Sequence, residues 1–240
     1  MKIATTSDIH YPTYSELFWS EIQKIDNPDL FLLAGDVCEA FHPENYKKVI
    51  DILDKKGVKC PIVGVFGNTE FDQDYEKIRD MCKGKIVFLK DEMLNLEIDG
   101  KKIVIIGTRG GLDKPTSWQL RNIPNIKEIY KKSYDKVTKL LEQAKMFKPD
   151  ITILMMHYSP TRLTVKGEPN YSYPGLSYKA YEETIKKFKP TFVIHGHAHS
   201  GTKFGELDDV PIYNVALPLN MKIIEIDTEN PEKEGLMKFI

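Results

Sequence analysis

The chain has 240 residues with a net charge of -1, a hydrophobic share of 41% and a charged share of 29%. That length allows one large domain or two small ones and buries about 70–75% of the unfolded surface without disulfide staples. The balanced charge excludes an overall basic field for nucleic acid or an anionic membrane, and no run of about 18 apolar residues offers a transmembrane helix. The opening MKIATTSDIH turns polar too early for a signal peptide, so a cytoplasmic address is expected. Cys38, Cys60 and Cys82 are odd in number and widely spaced, which fits reduced thiols rather than a disulfide framework or a zinc knuckle.

In chain order, residues 2–7 open as a strand. Ser15 is placed to cap a helix over 15–26 with Leu17, Phe18, Ile22 and Ile25 as its apolar stripe. Residues 29–34 (DLFLLA) read as a buried strand. Pro43 stands at a helix start and Gly57 at its end. A strand over 61–66 and a short helix over 72–82 follow. Asp99-Gly100 between apolar runs at 93–98 and 102–106 signals a hairpin, so antiparallel pairing joins the parallel units. Residues 108–124 read as a long loop, 125–147 as an amphipathic helix and 151–156 (ITILMM) as a buried strand. A second long loop covers 157–175, then a helix over 177–188 and strands over 191–194, 210–215 and 221–227. The tail from Asn230 is expected to be peripheral. No repeat or linker interrupts the pattern, and residues 1–240 are read as one α/β domain with two mixed sheets and helices outside.

The chemistry-bearing residues gather at strand ends. Asp8, His10, Asp36, Asn68, His157, His197 and His199 all fall just past the carboxyl end of a predicted strand, the edge where α/β sheets bind ligands. Taken singly, Asp8-Ile9-His10, Gly35-Asp36 and Gly67-Asn68 are also what caps and turns require, and His157 alone could be a core histidine. The run His195-Gly196-His197-Ala198-His199 has little structural rationale. Imidazole and carboxylate together suit manganese, iron, zinc, cobalt or nickel, and the absence of cysteine argues against a purely structural zinc. Seven donors exceed one tetrahedral shell and suit two divalent ions sharing a bridge, a standard device for displacement at phosphorus.

In order, Asp8-Ile9-His10, Gly35-Asp36, Gly67-Asn68-Thr69-Glu70, His157 and Gly196-His197-Ala198-His199 resemble the signature of the calcineurin-like metallophosphoesterases, spread over most of the chain. Tyr213-Asn214-Val215-Ala216 is similar to the strand that follows that signature. HYSPTRLTVKG at 157–167 with HGHAHSG at 195–201 is similar to the branch related to cyclic-nucleotide phosphodiesterases. The resemblance implies a four-layer αββα sandwich with two mixed β-sheets flanked by helices. It implies a binuclear centre in which Asp8, His10 and His199 hold one ion, Asn68, His157 and His197 the other, and Asp36 with a hydroxide bridges them. Asp36, Asn68 and His157 are assigned to catalysis, and Asn68, Thr69 and Arg109 to substrate. The family's G-N-H carries Thr69 where His is expected. Thr cannot titrate near neutral pH, so it is no general acid, though it can donate to a phosphoryl oxygen.

Glu70 supports the motif or is merely solvated. His195 orients a ligand, stands in as proton donor, or packs at its strand end. Tyr158, Arg162 and Tyr171 lie on the loop where specificity is usually set, and His42 is read as surface. The expected activity is hydrolysis of a phosphate ester by attack of a metal-bridged hydroxide on phosphorus, with a diester preferred because the motif lacks its acid. A phosphomonoesterase, a nucleotide pyrophosphatase and a non-catalytic binding scaffold are the alternatives. The partner is a small phosphate ester or nucleotide rather than a membrane, and the neutral charge disfavours nucleic acid.

Overall fold

The computed structural model describes residues 1–229, so the tail from Asn230 lies outside the described residues. In chain order its elements are β1 (Lys2–Thr6), α1 (Ser15–Lys24), β2 (Leu30–Ala34), α2 (Tyr46–Lys56), β3 (Ile62–Val65), α3 (Tyr75–Met81), β4 (Ile86–Leu89), β5 (Glu92–Ile98) and β6 (Lys101–Thr108). They continue with α4 (Ser117–Asn122), α5 (Ile126–Ala144), β7 (Ile151–Met156), α6 (Tyr181–Phe188), β8 (Phe192–His195), β9 (Phe204–Leu207), β10 (Val210–Asn214), α7 (Leu217–Asn220) and β11 (Ile224–Asp227). One sheet has the order β11-β1-β2-β3-β4 and the other β5-β6-β7-β8-β10-β9. Neighbours run parallel from β1 through β2 and β3 to β4, and from β6 through β7 and β8 to β10, while β11, β5 and β9 pair antiparallel at the edges, so both sheets are mixed.

The layering follows from the strand period of two. On β2, Leu30, Leu32 and Ala34 point to one face and meet Ile103, Ile105, Ile153 and Ile194 of the other sheet. Phe31 and Leu33 point the opposite way, onto Phe18 and Ile22 of α1 and Val49 and Leu53 of α2. Val104, Ile106, Leu154 and Val193 do the same on the second sheet, against Val137 and Leu141 of α5 and Tyr181 and Ile185 of α6. Central strands buried on both faces must be apolar throughout, which is why they read as continuous runs rather than alternating ones. The result is the αββα sandwich.

Several local expectations are corrected. Ser15 does not cap α1; it is the first helical residue, and its hydroxyl donates back to the Pro12 carbonyl at 2.7 Å. The 108–124 loop contains α4, held by a capping box in which the Thr116 hydroxyl accepts from Gln119 N–H and the Gln119 amide oxygen accepts from Thr116 N–H. α6 starts at Tyr181 rather than 177, because 177 is tied to Ser159 in an isolated β-bridge. The strands β4 and β9 and the helix α7 went unread; each is only four residues long. The hairpin turn has Asp99 at φ 49 and Gly100 at φ 74, both left-handed as a type I′ turn requires. All three cysteines are free. Among the described residues, no helix is long and apolar enough to cross a membrane.

Candidate metal centre

Two sheets deliver their parallel-strand ends to one place. Asp8 and His10 follow β1, Asp36 follows β2 and Asn68 follows β3. His157 follows β7 of the second sheet, and His197 and His199 follow β8. The β1 end is stitched to the segment after β10 by Ser7 N–H on the Val215 carbonyl (3.2 Å) and Leu217 N–H on the Ser7 carbonyl (3.0 Å).

The structure brings the predicted donors together as two groups, Asp8 with His10 and His199, and Asp36 with His157 and His197, the ligand atoms within each lying inside 4.8 Å of one another. His199 Nε2 stands 3.0 Å from Asp8 Oδ1, and His10 Nε2 stands 3.8 Å from Asp8 Oδ1 and 3.7 Å from Asp36 Oδ2. His157 Nε2 is 3.4 Å from Asp36 Oδ2 and 3.0 Å from Asn68 Oδ1, which adds Asn68 to the second group. The His157 and His197 rings are 5.1 Å apart.

Backbone geometry is bent to this purpose. Asp8, His10, Asp36 and His197 all have left-handed φ, at 56°, 43°, 50° and 69°. Non-glycine residues held there cost about 1–3 kcal/mol each and cluster at functional sites. The motif glycines answer to close approach: a Cβ on Gly67 would collide with the Asp36 carboxylate, and one on Gly196 with Asp8 and Ser7.

The electrostatics couple each buried carboxylate to an imidazole. His157 Nδ1 donates to the Ala34 carbonyl at 3.0 Å, which fixes the ring and turns Nε2 toward the oxygens of Asn68 and Asp36. Burial opposes a charged His157 ring, but the Asp36 carboxylate outweighs it and raises the pKa to about 9. Burial would raise Asp36, yet His157 holds it well below the usual carboxylate range. Burial also opposes charge on His199, and the bond to Asp8 prevails and raises it. His197 is pushed down to about 3 by burial and by His157, leaving a neutral ring with a free lone pair. Carboxylates and imidazoles buried together, with no cysteine among them, match the donor chemistry of a borderline divalent metal.

Glu70 does far more than solvate the motif. Its buried carboxylate accepts the N–H groups of Asp36 (3.0 Å), Val37 (2.9 Å), Cys38 (3.4 Å) and Gly67 (2.7 Å) and the Tyr46 hydroxyl (2.9 Å), locking the two loops that carry Asp36 and Asn68. Thr69 turns inward: its N–H and hydroxyl reach Asp36 Oδ1 at 2.8 and 2.9 Å, and the hydroxyl also faces the Cys38 carbonyl at 2.8 Å. Its hydroxyl is thereby engaged within the protein, while the residue still lines the cavity beside the site. Arg109, expected on phosphate, is bonded to Asp72 and the Tyr75 hydroxyl.

His195 is fully buried between the Thr164 hydroxyl and the Gly196 carbonyl, each at 2.7 Å, and burial lowers its pKa to about 4. Both ring nitrogens are engaged, so it packs at its strand end. Tyr158 is buried with its ring 4.7 Å from His197, Arg162 pairs with Asp113, Tyr171 is exposed, and His42 lies on the surface beside Glu44. Ser7, whose hydroxyl donates to Asp8 Oδ2 at 2.5 Å, was missed, although its place beside Asp8 was a readable signal.

The model of the calcineurin-like phosphoesterase family matches residues 1–201. No curated protein matches the chain. Among solved structures the chain is similar to TT1561 of Thermus thermophilus, at 15% identity and a TM-score of 0.60 over 95% of this chain and 98% of that one. It is also similar to the calcineurin-like phosphoesterase YfkN of Bacillus subtilis, at 16% identity and 0.57 over 89% and 80%. A 5'-nucleotidase precursor of Thermus thermophilus matches at 14% identity and 0.53 over 96% of this chain and 52% of that one. Identities this low establish the fold, and the family match adds the chemistry: the chain belongs to the calcineurin-like phosphoesterases, hydrolases of phosphate esters that use divalent metal ions.

Proposed function

We propose that residues 1–240 form one metallophosphoesterase domain that binds two divalent transition-metal ions and hydrolyses a small phosphodiester. The observation that carries this reading is the pair of Asp/His groups set side by side, with Asp36 of one group 3.7 Å from His10 of the other. Asp8, His10 and His199 would hold one ion, Asn68, His157 and His197 the other, with Asp36 shared. When bound, such a pair supplies Lewis-acid charge for the phosphoryl oxygens and lowers the pKa of a water to make it a nucleophile near neutral pH.

The chain's own residues set the geometry. Glu70 fixes the backbone under Asp36 and Asn68. Thr69 pins one Asp36 oxygen, which leaves Oδ2 facing His10 and His157. Asn68 points its Oδ1 at His157, so its amide N–H groups are left to orient a phosphoryl oxygen. No group at position 69 can hand a proton to a departing oxygen, which favours esters with a good leaving group and supports the diester reading over the monoester one.

The test is a panel of matched monoesters, diesters and nucleotides against protein loaded with Mn, Fe, Zn, Co or Ni. Metal-dependent turnover of a diester above that of its matched monoester is expected. Absence of bound metal after every loading, or absence of turnover in every loaded form, would refute the proposal.

A further inference from the structure

A cavity of about 790 Å³ opens from the metal centre, with Asn68, Thr69 and His197 on its inner wall. Phosphate alone needs little of that space, and the volume lies within the ~300–1,000 Å³ of sites built for whole small molecules. Its outer wall carries three aromatic rings, Phe41, Phe71 and Trp118. Phe41 and Phe71 have ring centroids 4.9 Å apart, and Phe71 and Trp118 5.7 Å. Phe41 is 72% exposed and Trp118 46%, and through Phe71 they form one contiguous aromatic patch rather than scattered exposed rings.

Each ring is fixed to a segment that serves the metal centre. Phe71 follows Asn68 by three residues and Glu70 by one. Phe41 follows Asp36 by five and sits at φ 66, a backbone region bulky residues rarely adopt. Trp118 rides on α4, whose Gln119 side-chain amide donates to the Tyr158 hydroxyl at 3.1 Å, and the Tyr158 ring lies against His197. The wall is therefore held in register with the site rather than hung on independent loops.

Resting on the phosphohydrolase reading, we propose that Phe41, Phe71 and Trp118 form a stacking site for a planar aromatic ring carried by the substrate, aryl or nucleobase. The rings are tilted by 42° and 37° to one another, which leaves open faces for a flat guest. Stacking of this kind tolerates any ring that offers a π-face. Leu112, Ile123 and Ile126 of the same cavity would also shelter an alkyl chain, so the decisive comparison is aryl against alkyl.

Four diesters with the same 4-nitrophenyl leaving group and a second group of ethyl, n-octyl, phenyl or 5'-thymidyl isolate the effect. The chemistry at phosphorus is shared, so the ratios of kcat/KM report the second group. We expect the phenyl or thymidyl ester to exceed the ethyl ester by about tenfold or more, and Trp118→Ala and Phe71→Ala to shrink that ratio to about threefold or less. Phenyl matching thymidyl would indicate that the ring alone suffices; thymidyl above phenyl would indicate a nucleobase. Equal rates for all four, preference for octyl, or a ratio that survives both substitutions would overturn the proposal.

A binding readout separates this outcome from failure of the hydrolase reading. In a Trp19→Phe chain, Trp118 is the remaining tryptophan. Its fluorescence should be quenched saturably by thymidine 5'-phosphate, with a Kd about tenfold below that for ribose 5-phosphate. Selective quenching without any turnover would sink the hydrolase and keep the ring site, and equal response to both phosphates would sink the ring site.

Discussion

The Asp36 carboxylate faces His157 at 3.4 Å and His10 at 3.7 Å, so it lies between the two donor groups, as the proposed shared ligand must. Asp36→Asn should therefore lower occupancy at both positions, whereas His199→Ala should empty mainly the one shared with Asp8; elemental analysis after loading reads the difference. Glu70 gathers five donors on one buried carboxylate. Glu70→Gln puts an amide N–H₂ where acceptors are needed and should cost about 2–4 kcal/mol in urea unfolding, since bonds to a charged acceptor are worth roughly 1.5–3 kcal/mol each and are not additive. Thr69 has neither the charge nor the reach of an acid, and general acid catalysis is worth about 10²–10⁴-fold. Hydrolysis should thus fall steeply as the pKa of the leaving group rises, and Thr69→His should speed alkyl esters more than aryl esters. A flat dependence in wild type would mean that bond cleavage is not limiting or that another donor acts. His195 is a poor candidate for that donor, because both of its ring nitrogens are already bonded.

Strand ends were the most legible elements because each couples an apolar run to a polar residue that has no reason to follow it. ITILMM before His157 and FVIH before His197 show the pattern plainly. What the sequence cannot display is backbone conformation: the left-handed φ of Asp8, His10, Asp36 and His197 aims these side chains, and none of those residue types demands it. Elements of four residues, such as β4 and β9, are too short to show a period. The helix α4 lacks an apolar stripe, yet Thr116 three residues before Gln119 is a capping-box signal that a reader could have used. Its importance is local and testable. Thr116→Ala should destabilise the protein by about 1 kcal/mol, the usual worth of an N-cap. Amide hydrogen exchange should accelerate over 117–122 and leave α5 protected; a uniform change across the chain would mean that α4 is not an independent cap-dependent unit.

At the scale of the molecule, each donor group draws on both sheets. Asp8 and His10 come from the first sheet and His199 from the second; Asp36 comes from the first, and His157 and His197 from the second. Bound ions would tie the two layers together, and binding to the folded state alone stabilises by about 2.7 kcal/mol per site at a hundredfold excess over Kd. The size of that gain should depend on pH in a definite direction. In chelator-treated protein His157 titrates near 9, above the roughly 6.5 of an unfolded histidine, because burial is outweighed by Asp36. Between these values the folded state holds the extra proton, so this contribution is complete below about 6.5 and is lost as pH rises through about 9. His195, lowered to about 4 by burial, acts in the opposite window: the unfolded state takes up the proton first, so stability falls as pH drops from about 6.5 toward 4. Stripped protein should accordingly be most stable near pH 6.5. In loaded protein the ion replaces the proton on His157, and the loss above that pH should disappear. Thermal unfolding of both forms at intervals from pH 6.5 to 9 should show the Tm gap widening with pH. A gap that stays constant would mean that His157 does not exchange a proton for a metal, and the second donor group would lose its central member.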